Sequence, residues 1–182
     1  MTLAEQVELL MDEREISRLI YVYCRAVDRG DRELLQSLYH PDAKEEHGGY
    51  NGDLAGFVDY AFSMIDWAKE GLSHHITNIL IDVQGDTAFA ESAFMAMSAR
   101  ATDIEGNDID IVIFGRYLDT FEKRSEAWKI AHRRVVFDSN HTFPASGLWT
   151  GPLHGNFVPK GKPNATDALY ETMAKVMNSN KS

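Results

Sequence analysis

The sequence predicts an α+β fold in which helices come first and an antiparallel sheet follows. Apolar residues recur at three- and four-residue steps in the first third of the chain, a spacing typical of amphipathic helices. From residue 79 to residue 137, apolar and polar residues instead alternate in short runs separated by turn signals. Because no helical pattern interrupts these runs, their strands should pair as hairpins within one antiparallel sheet.

The first predicted helix carries its apolar stripe from Leu3 to Val27, with charged residues between the apolar positions. A break in this helix is expected near Asp12. Gly30 is a natural end, because glycine readily adopts the left-handed conformation that follows many helices. Asp31 can then cap a short second helix.

Two further elements are predicted before the sheet. Pro41 prevents the second helix from continuing, and residues 43–50 should form a short strand. Asp53 is a good cap for a third helix, which Gly71 ends.

Two hairpins are predicted in the second half of the chain. In the first, residues 79–83 turn at residues 84–86 into a strand over residues 88–97. In the second, residues 109–121 return as residues 128–137. We expect a cone-shaped curved sheet with about three N-terminal helices packed on its concave face, leaving a pocket between them.

The chain after Asp138 is rich in glycine, proline and isolated aromatic residues, and it is too apolar for a disordered linker. We expect residues 141–182 to lie over the cone as a pocket lid, or to reach a neighbouring subunit as an arm. A final helix should run from a Thr166 cap to Met177. Residues 1–140 and this segment would form one domain, as the chain length favours.

Composition argues against several classes of partner. The net charge of −10 disfavours nucleic acid and anionic membranes, because both require clustered lysine and arginine. The single cysteine, Cys24, excludes an internal disulfide and fits a reducing compartment. The first residues do not resemble a signal peptide, and no stretch approaches the roughly 18 apolar residues that span a bilayer. A cytoplasmic location without membrane contact is therefore expected.

Five short motifs follow one another along residues 8–138. They are Tyr23-x4-Asp28-Arg29-Gly30-Asp31, Leu38-Tyr39-His40-Pro41-Asp42-Ala43, His74-His75-Ile76-Thr77-Asn78, Gly85-Asp86-Thr87-Ala88 and Trp128-Lys129-Ile130. In this order and spacing they resemble the SnoaL-like branch of the nuclear-transport-factor-two-like superfamily. The resemblance implies a cone-shaped α+β barrel whose open end holds a small apolar molecule. Members include dehydratases, a dehydrochlorinase, an isomerase and polyketide cyclases, but also binding proteins without chemistry.

Four residues match positions that carry chemistry in this family. Asp28, His74 and Arg133 resemble the catalytic Asp–His pair and arginine of the dehydrochlorinase, and Tyr23 resembles the active-site tyrosine of a bile-acid dehydratase. His74 would act as a general base while Asp28 orients its ring. Arg133 and Tyr23 would stabilise negative charge that develops on the substrate.

A second histidine, His75, directly follows the first. Neighbouring strand residues face opposite sides of a sheet, so only one of the two should point into the pocket. The spacing to Asn78 favours His74. We expect His75, Arg116 and Trp149 to be the further residues that contact substrate.

Each catalytic candidate also has an ordinary structural interpretation. Asp28 can cap the turn after the first helix, and either His74 or His75 can be a strand residue bonded to backbone. Arg133 can pair with a surface carboxylate. Tyr23 can belong to the core with its hydroxyl group at the edge.

Neither a metal nor a cofactor is predicted, because the seven histidines have no HExxH spacing and no GxSxG or GxGxxG motif occurs. The resemblance to the SnoaL-like branch implies a cofactor-independent lyase or isomerase that removes water or shifts a proton on a small apolar cyclic substrate. Two alternatives stay open, a non-catalytic binding protein for a small apolar molecule and the small subunit of an aromatic-ring dioxygenase. An exposed sheet face and the apolar tail predict a homo-oligomer, either a dimer or a trimer.

Overall fold

The computed structural model describes residues 1–179 and has the predicted α+β architecture. The helices are α1 (Leu3–Asp28), α2 (Arg32–Ser37), α3 (Leu54–Trp67), α4 (Gly151–His154) and α5 (Ala168–Ser179). The strands are β1 (Tyr39–His47), β2 (Tyr50–Asp53), β3 (Gly71–Gln84), β4 (Thr87–Thr102), β5 (Asp108–Arg124) and β6 (Ala127–Pro144).

The six strands form one curved, unclosed sheet in the order β2-β1-β6-β5-β4-β3. Four of the five neighbouring pairs are antiparallel, but β1 and β6 run parallel, so the prediction of a fully antiparallel sheet is wrong at this pair. Hairpin signals report only on strands joined by a short turn. The connection from β1 to β6 contains a helix and four strands, and a connection of that length permits either direction.

Helix α1 is continuous from Leu3 to Asp28, so the expected break near Asp12 is wrong. The Asp12 carboxylate points to the sheet, where Oδ1 accepts hydrogen bonds from Trp128 Nε1 at 2.7 Å and from Lys123 Nζ at 3.1 Å. Asp12 thus connects α1 to the β5–β6 hairpin.

The predicted caps of α2 and α3 are confirmed. The carboxylate of Asp31 accepts a hydrogen bond from the backbone N–H of Leu34, and that of Asp53 accepts one from Gly56, both at 3.0 Å. Gly71 does not end α3, however, because the helix already stops at Trp67. The glycine instead opens β3 with a φ of +110°.

Both predicted hairpins are confirmed, with strands that are longer than the alternation indicated. Strand β6 continues across residue 140 and ends at Pro144, so the irregular segment begins there. Within that segment, Asp167 rather than Thr166 caps α5, because its carboxylate accepts from the backbone N–H of Leu169 at 2.9 Å. The Thr166 hydroxyl group bonds to Asn164 instead.

Helix α1 packs across β3 and β6, and α3 packs on β1 and β2. Large side chains fill the centre of the space between the helices and the concave face of the sheet, namely Tyr23, Phe57, Phe94, Tyr117, Phe121 and Trp128. Open space near the predicted site therefore has to be sought at the edge of this core. Within residues 1–179, no helix combines the length and hydropathy needed to cross a membrane.

Replacing Asp12 with alanine should lower the free energy of unfolding by about 1–3 kcal/mol, because an indole N–H and an ammonium group lose their acceptor. Asp12→Asn should lose less, since the amide oxygen still accepts from Trp128. Urea denaturation measures both, with Asp66→Ala on the exposed side of α3 as the control. An Asp12→Ala variant as stable as the unmodified protein would contradict this anchoring role.

Candidate active site

Asp28 and His74 meet where the last residue of α1 crosses the beginning of β3. Asp28 Oδ1 lies 2.6 Å from His74 Nδ1, and Asp28 Oδ2 accepts from the backbone N–H of His74 at 2.9 Å. The two side chains are only 10% and 12% exposed. Both carboxylate oxygens are thus used on one residue of β3, which means that Asp28 does more than cap the turn after α1.

This pairing fixes the proton on the imidazole ring. An ionised carboxylate can only accept hydrogen bonds, so Nδ1 of His74 must be the donor in the short contact with Asp28. In the neutral ring, Nε2 then carries a lone pair and can accept a proton. The geometry is that of a histidine base whose ring is oriented by an acidic partner.

A pocket of about 400 Å³ lies beside the pair and is lined by His74 and Asp28. The apolar part of its wall is Tyr21 from α1, Ile76 from β3 and Leu169 from α5. Its charged part is Arg25, Arg29 and Asp167. We call this space the histidine pocket. It gives the imidazole access to a small molecule.

A second pocket, of about 440 Å³, adjoins the first, and Asp28 and Arg29 line both. Trp149, one of the predicted substrate contacts, lies in its wall and donates from Nε1 to Glu70 Oε2 at 2.8 Å. Lys160 and Lys162 line the same space, which we call the lysine pocket. The two pockets thus meet at the carboxyl end of α1.

The C-terminal segment closes both pockets by packing on the end of α1. Arg29 Nε lies 3.8 Å from the Asp167 carboxylate, and the Tyr170 hydroxyl group donates to Asp31 at 3.3 Å. Gly30 has a φ of +60°, and its Cα faces the carbonyl group of Pro163 so closely that a Cβ would collide with it. The segment therefore lies over the site of its own chain.

Arg133 lies deeper than expected and lines neither of these two pockets. It is fully buried, and its Nε and Nη2 donate to the Asp119 carboxylate at 2.7 Å and 2.6 Å. The guanidinium carbon lies 3.9 Å from the ring centroid of Tyr23 and 4.1 Å from that of Tyr117. Burial alone would lower the pKa of Arg133, but the adjacent Asp119 carboxylate offsets this and holds the pKa well above its ordinary value.

Tyr23 is therefore a core residue, as its ordinary structural interpretation stated, but it is buried completely and packs on a cation instead of placing its hydroxyl group at the edge. Burial raises the pKa of its hydroxyl group far above the usual range. The structure brings Asp28 and His74 together, whereas it pairs Arg133 and Tyr23 with each other in the interior.

The remaining predicted contacts lie elsewhere. His75 is exposed on the opposite face of β3, as adjacency in a strand requires, and its Nε2 lies 3.0 Å from Ser73 Oγ. Arg116 lies on the outer face of the sheet and pairs with Glu91 and Asp138. Neither His75 nor Arg116 lines the histidine pocket or the lysine pocket.

A buried carboxyl group that sequence reasoning missed lies near Arg133. Glu45 in β1 is 1% exposed, accepts from the Tyr39 hydroxyl group at 3.1 Å and lies 3.1 Å from His47 Nδ1. Burial raises the pKa of Glu45, although His47 and Arg133 oppose that shift. The sequence did contain a signal that Glu45 is buried. It lies two residues after the buried Ala43 in β1, and residues two apart in a strand share a face.

Metal ligands form no cluster in the described part of the chain: no group of three or more His, Cys, Asp or Glu side chains is arranged to hold an ion. Cys24 lies beside the histidine pocket, and burial raises the pKa of its thiol to about 12. A thiol with so high a pKa remains protonated at neutral pH and is a poor nucleophile.

The curved, unclosed sheet with an N-terminal helix packed on it is the nuclear-transport-factor-two-like fold. The family model for the SnoaL-like domain matches residues 8–134. The chain therefore belongs to the SnoaL-like domain family.

Solved structures with the same fold support this assignment. A protein of Novosphingobium aromaticivorans provisionally identified as a scytalone dehydratase is 23% identical, with a TM-score of 0.60, and the match covers 79% of this chain and 97% of that one. The hexachlorocyclohexane dehydrochlorinase LinA-type3 of Novosphingobium barchaimii is 19% identical, with a TM-score of 0.64 and coverages of 81% and 99%. The protein Kfla4162 of Kribbella flavida is 14% identical, with a TM-score of 0.65 and coverages of 73% and 95%. At these identities the likeness shows the fold alone. No curated protein matches the chain.

Gly30→Ala should loosen the C-terminal segment, because the new methyl group meets the Pro163 carbonyl group at the point where the segment touches α1. Limited trypsin digestion should then cut after Lys160, which precedes Gly161, faster than in the unmodified protein. Gly85→Ala is a matched control, since it has a φ of +59° and no atom within 4 Å of the added Cβ. Equal cleavage of both variants would show that this contact does not hold the segment.

Glu45→Gln should become increasingly stable relative to the unmodified protein as the pH rises above 4.5, the ordinary glutamate value. A carboxyl group whose pKa is raised on folding contributes stability below its unfolded pKa, and this contribution is lost as the pH rises through the folded pKa. Glutamine removes that loss and keeps an acceptor for Tyr39. Urea unfolding at acidic and at neutral pH measures the difference, with the exposed Glu33→Gln as the control. A difference that stays flat or falls with pH would count against this assignment.

Proposed function

We propose that the protein is a cofactor-independent lyase or isomerase that uses His74 as its general base. The observation that carries this proposal is the 2.6 Å contact between Asp28 and His74 in the wall of a pocket. Membership of a family whose structural neighbours include a dehydrochlorinase and a protein provisionally identified as a dehydratase supports the reaction class.

Both reactions, dehydration and isomerisation, need one group that first accepts a proton from the substrate and then donates it. His74 Nε2 takes a proton from a substrate carbon, and the Asp28 carboxylate stabilises the imidazolium ion that results. In a dehydration, the electron pair of the broken C–H bond forms the new double bond, and the C–O bond breaks. The departing hydroxide takes a proton from the imidazolium ion and leaves as water. In an isomerisation, the imidazolium ion returns its proton to a second carbon.

Arg133 and Tyr23 enter this mechanism as positioning residues. Their stacked contact joins α1 to the sheet, and α1 carries Asp28 five residues after Tyr23. Two arginines, Arg25 and Arg29, line the histidine pocket, and of these Arg29 also lines the lysine pocket. We assign Arg29 the role first expected of Arg133, the stabilisation of developing negative charge.

The pocket dimensions and walls favour a small ring compound. Volumes near 400 Å³ lie within the roughly 300–1,000 Å³ that is usual for small-molecule sites. Tyr21, Ile76 and Leu169 form an apolar part of the wall, against which an apolar ring gains from leaving water while its acidic C–H bond faces Nε2.

His74→Ala should reduce turnover by about 10²–10⁴-fold, the contribution that a general base normally makes. Asp28→Asn should lose activity in the same range, because an amide that accepts from the His74 backbone presents its NH₂ group to Nδ1 and shifts the ring proton to Nε2. Steady-state kinetics on cyclic β-hydroxy ketones such as scytalone, and on hexachlorocyclohexane, measure this effect.

His75→Ala is the matched control for that experiment, because it removes the neighbouring imidazole from the opposite face of β3. It should change turnover by less than about threefold if only His74 acts as the base. Full activity of His74→Ala would dismiss the assignment. Tight binding of such compounds without any turnover would instead favour the non-catalytic binding protein.

A further inference from the structure

The lysine pocket carries a local excess of positive charge in a chain whose net charge is −10. Four cationic and two anionic side chains line it: Arg29, Lys69, Lys160, Lys162, Asp28 and Glu70. An acidic chain repels anions at long range, so this local reversal of sign is the feature that needs an explanation.

The two anions of the pocket are already engaged. Asp28 is held by His74, while Glu70 accepts from Trp149 at 2.8 Å and lies 2.9 Å from Arg100 Nε. Their charge is therefore not directed at the lysines.

Two of the cations have partners outside the pocket. Lys69 pairs with Asp108 at 2.8 Å, and Arg29 lies 3.8 Å from Asp167. Within residues 1–179, neither the Lys160 nor the Lys162 ammonium group forms an ion pair, although the backbone N–H of Lys162 donates to the Asp167 carboxylate at 2.8 Å.

Trp149 holds Lys160 at the pocket wall. The Lys160 ammonium group lies 4.6 Å from the centroid of the indole ring, which favours a cation over its face. The indole is itself anchored, because its N–H donates to Glu70. The described part of the chain thus supports an ammonium group over an aromatic ring and provides no ion-pair partner for it.

We propose that the substrate carries a carboxylate-type anionic group, which Lys160 and Lys162 bind in the lysine pocket. The apolar ring of the substrate then extends past Asp28 and Arg29 into the histidine pocket, where His74 acts on it. This identification of the substrate class rests on the proposed function for its chemistry, but the anion site itself can be tested by binding alone.

The test compares matched pairs of probes that differ only in charge, 2-naphthoate with 2-naphthamide and cyclohexanecarboxylate with its carboxamide. Isothermal titration calorimetry of the full chain should show that each carboxylate binds more tightly than its amide. The preference should shrink when the salt concentration is raised from 20 mM to about 300 mM, because salt screens exposed charges.

Lys160→Gln and Lys162→Gln should each weaken carboxylate binding by about two- to fivefold, the effect expected of a solvent-exposed ion pair, and leave amide binding unchanged. The double variant should bring the carboxylate-to-amide ratio close to one. Lys44→Gln is the control, because it removes the same charge from an exposed position on β1, towards the opposite edge of the sheet.

Equal affinity for the carboxylate and the amide in both pairs would overturn the inference, as would an equal loss in Lys44→Gln and the double variant. Turnover of a neutral substrate by a protein that binds each carboxylate no more tightly than its amide would retain the proposed function and reject the anion site. A carboxylate preference that depends on the lysines, in a protein that turns over no substrate, would retain the anion site and reject the proposed function.

Discussion

The structure depends on how the end of α1 is joined to the beginning of β3. Asp28 uses one carboxylate oxygen on the backbone of His74 and the other on its ring, so that the contact which holds the helix on the strand also orients the imidazole. A residue bound in both ways cannot move relative to the sheet without breaking two hydrogen bonds. The attachment of the helix to the sheet and the orientation of the imidazole ring thus come from the same interaction.

The buried charge of Arg133 determines where α1 can contact the sheet. Arg133 cannot be left unpaired in the interior, because an isolated buried charge is far more costly than a paired one. Asp119 neutralises it from β5, and the rings of Tyr23 and Tyr117 both pack against its guanidinium group. Since Tyr23 belongs to α1, this cluster fixes the helix over the sheet and fills the centre of the cone. The space left for a ligand is therefore at the edge, beside Asp28.

Much of this could be predicted from the sequence, because the relevant signals are local. Periodicity and caps such as Asp31 and Asp53 gave the helices, and turn residues gave both hairpins. The parallel pairing of β1 with β6 could not be obtained in this way, since no short-range pattern records which distant strands meet. Motif resemblance brought Asp28 and His74 together correctly, but it could not give the depth of Arg133, because that depends on a partner, Asp119, outside the motifs.

The division between motif and surroundings also explains why the family does not by itself identify a substrate. Asp28 and His74 lie within the region that the SnoaL-like model matches, residues 8–134. Trp149 and Lys160, which form a wall of the adjoining pocket, lie after that region, in the segment that packs on the end of α1. The matched region therefore supplies the Asp28–His74 pair, while the C-terminal segment contributes to the shape and charge of the space beside it. Under the proposed function, selectivity should follow this segment rather than the sheet.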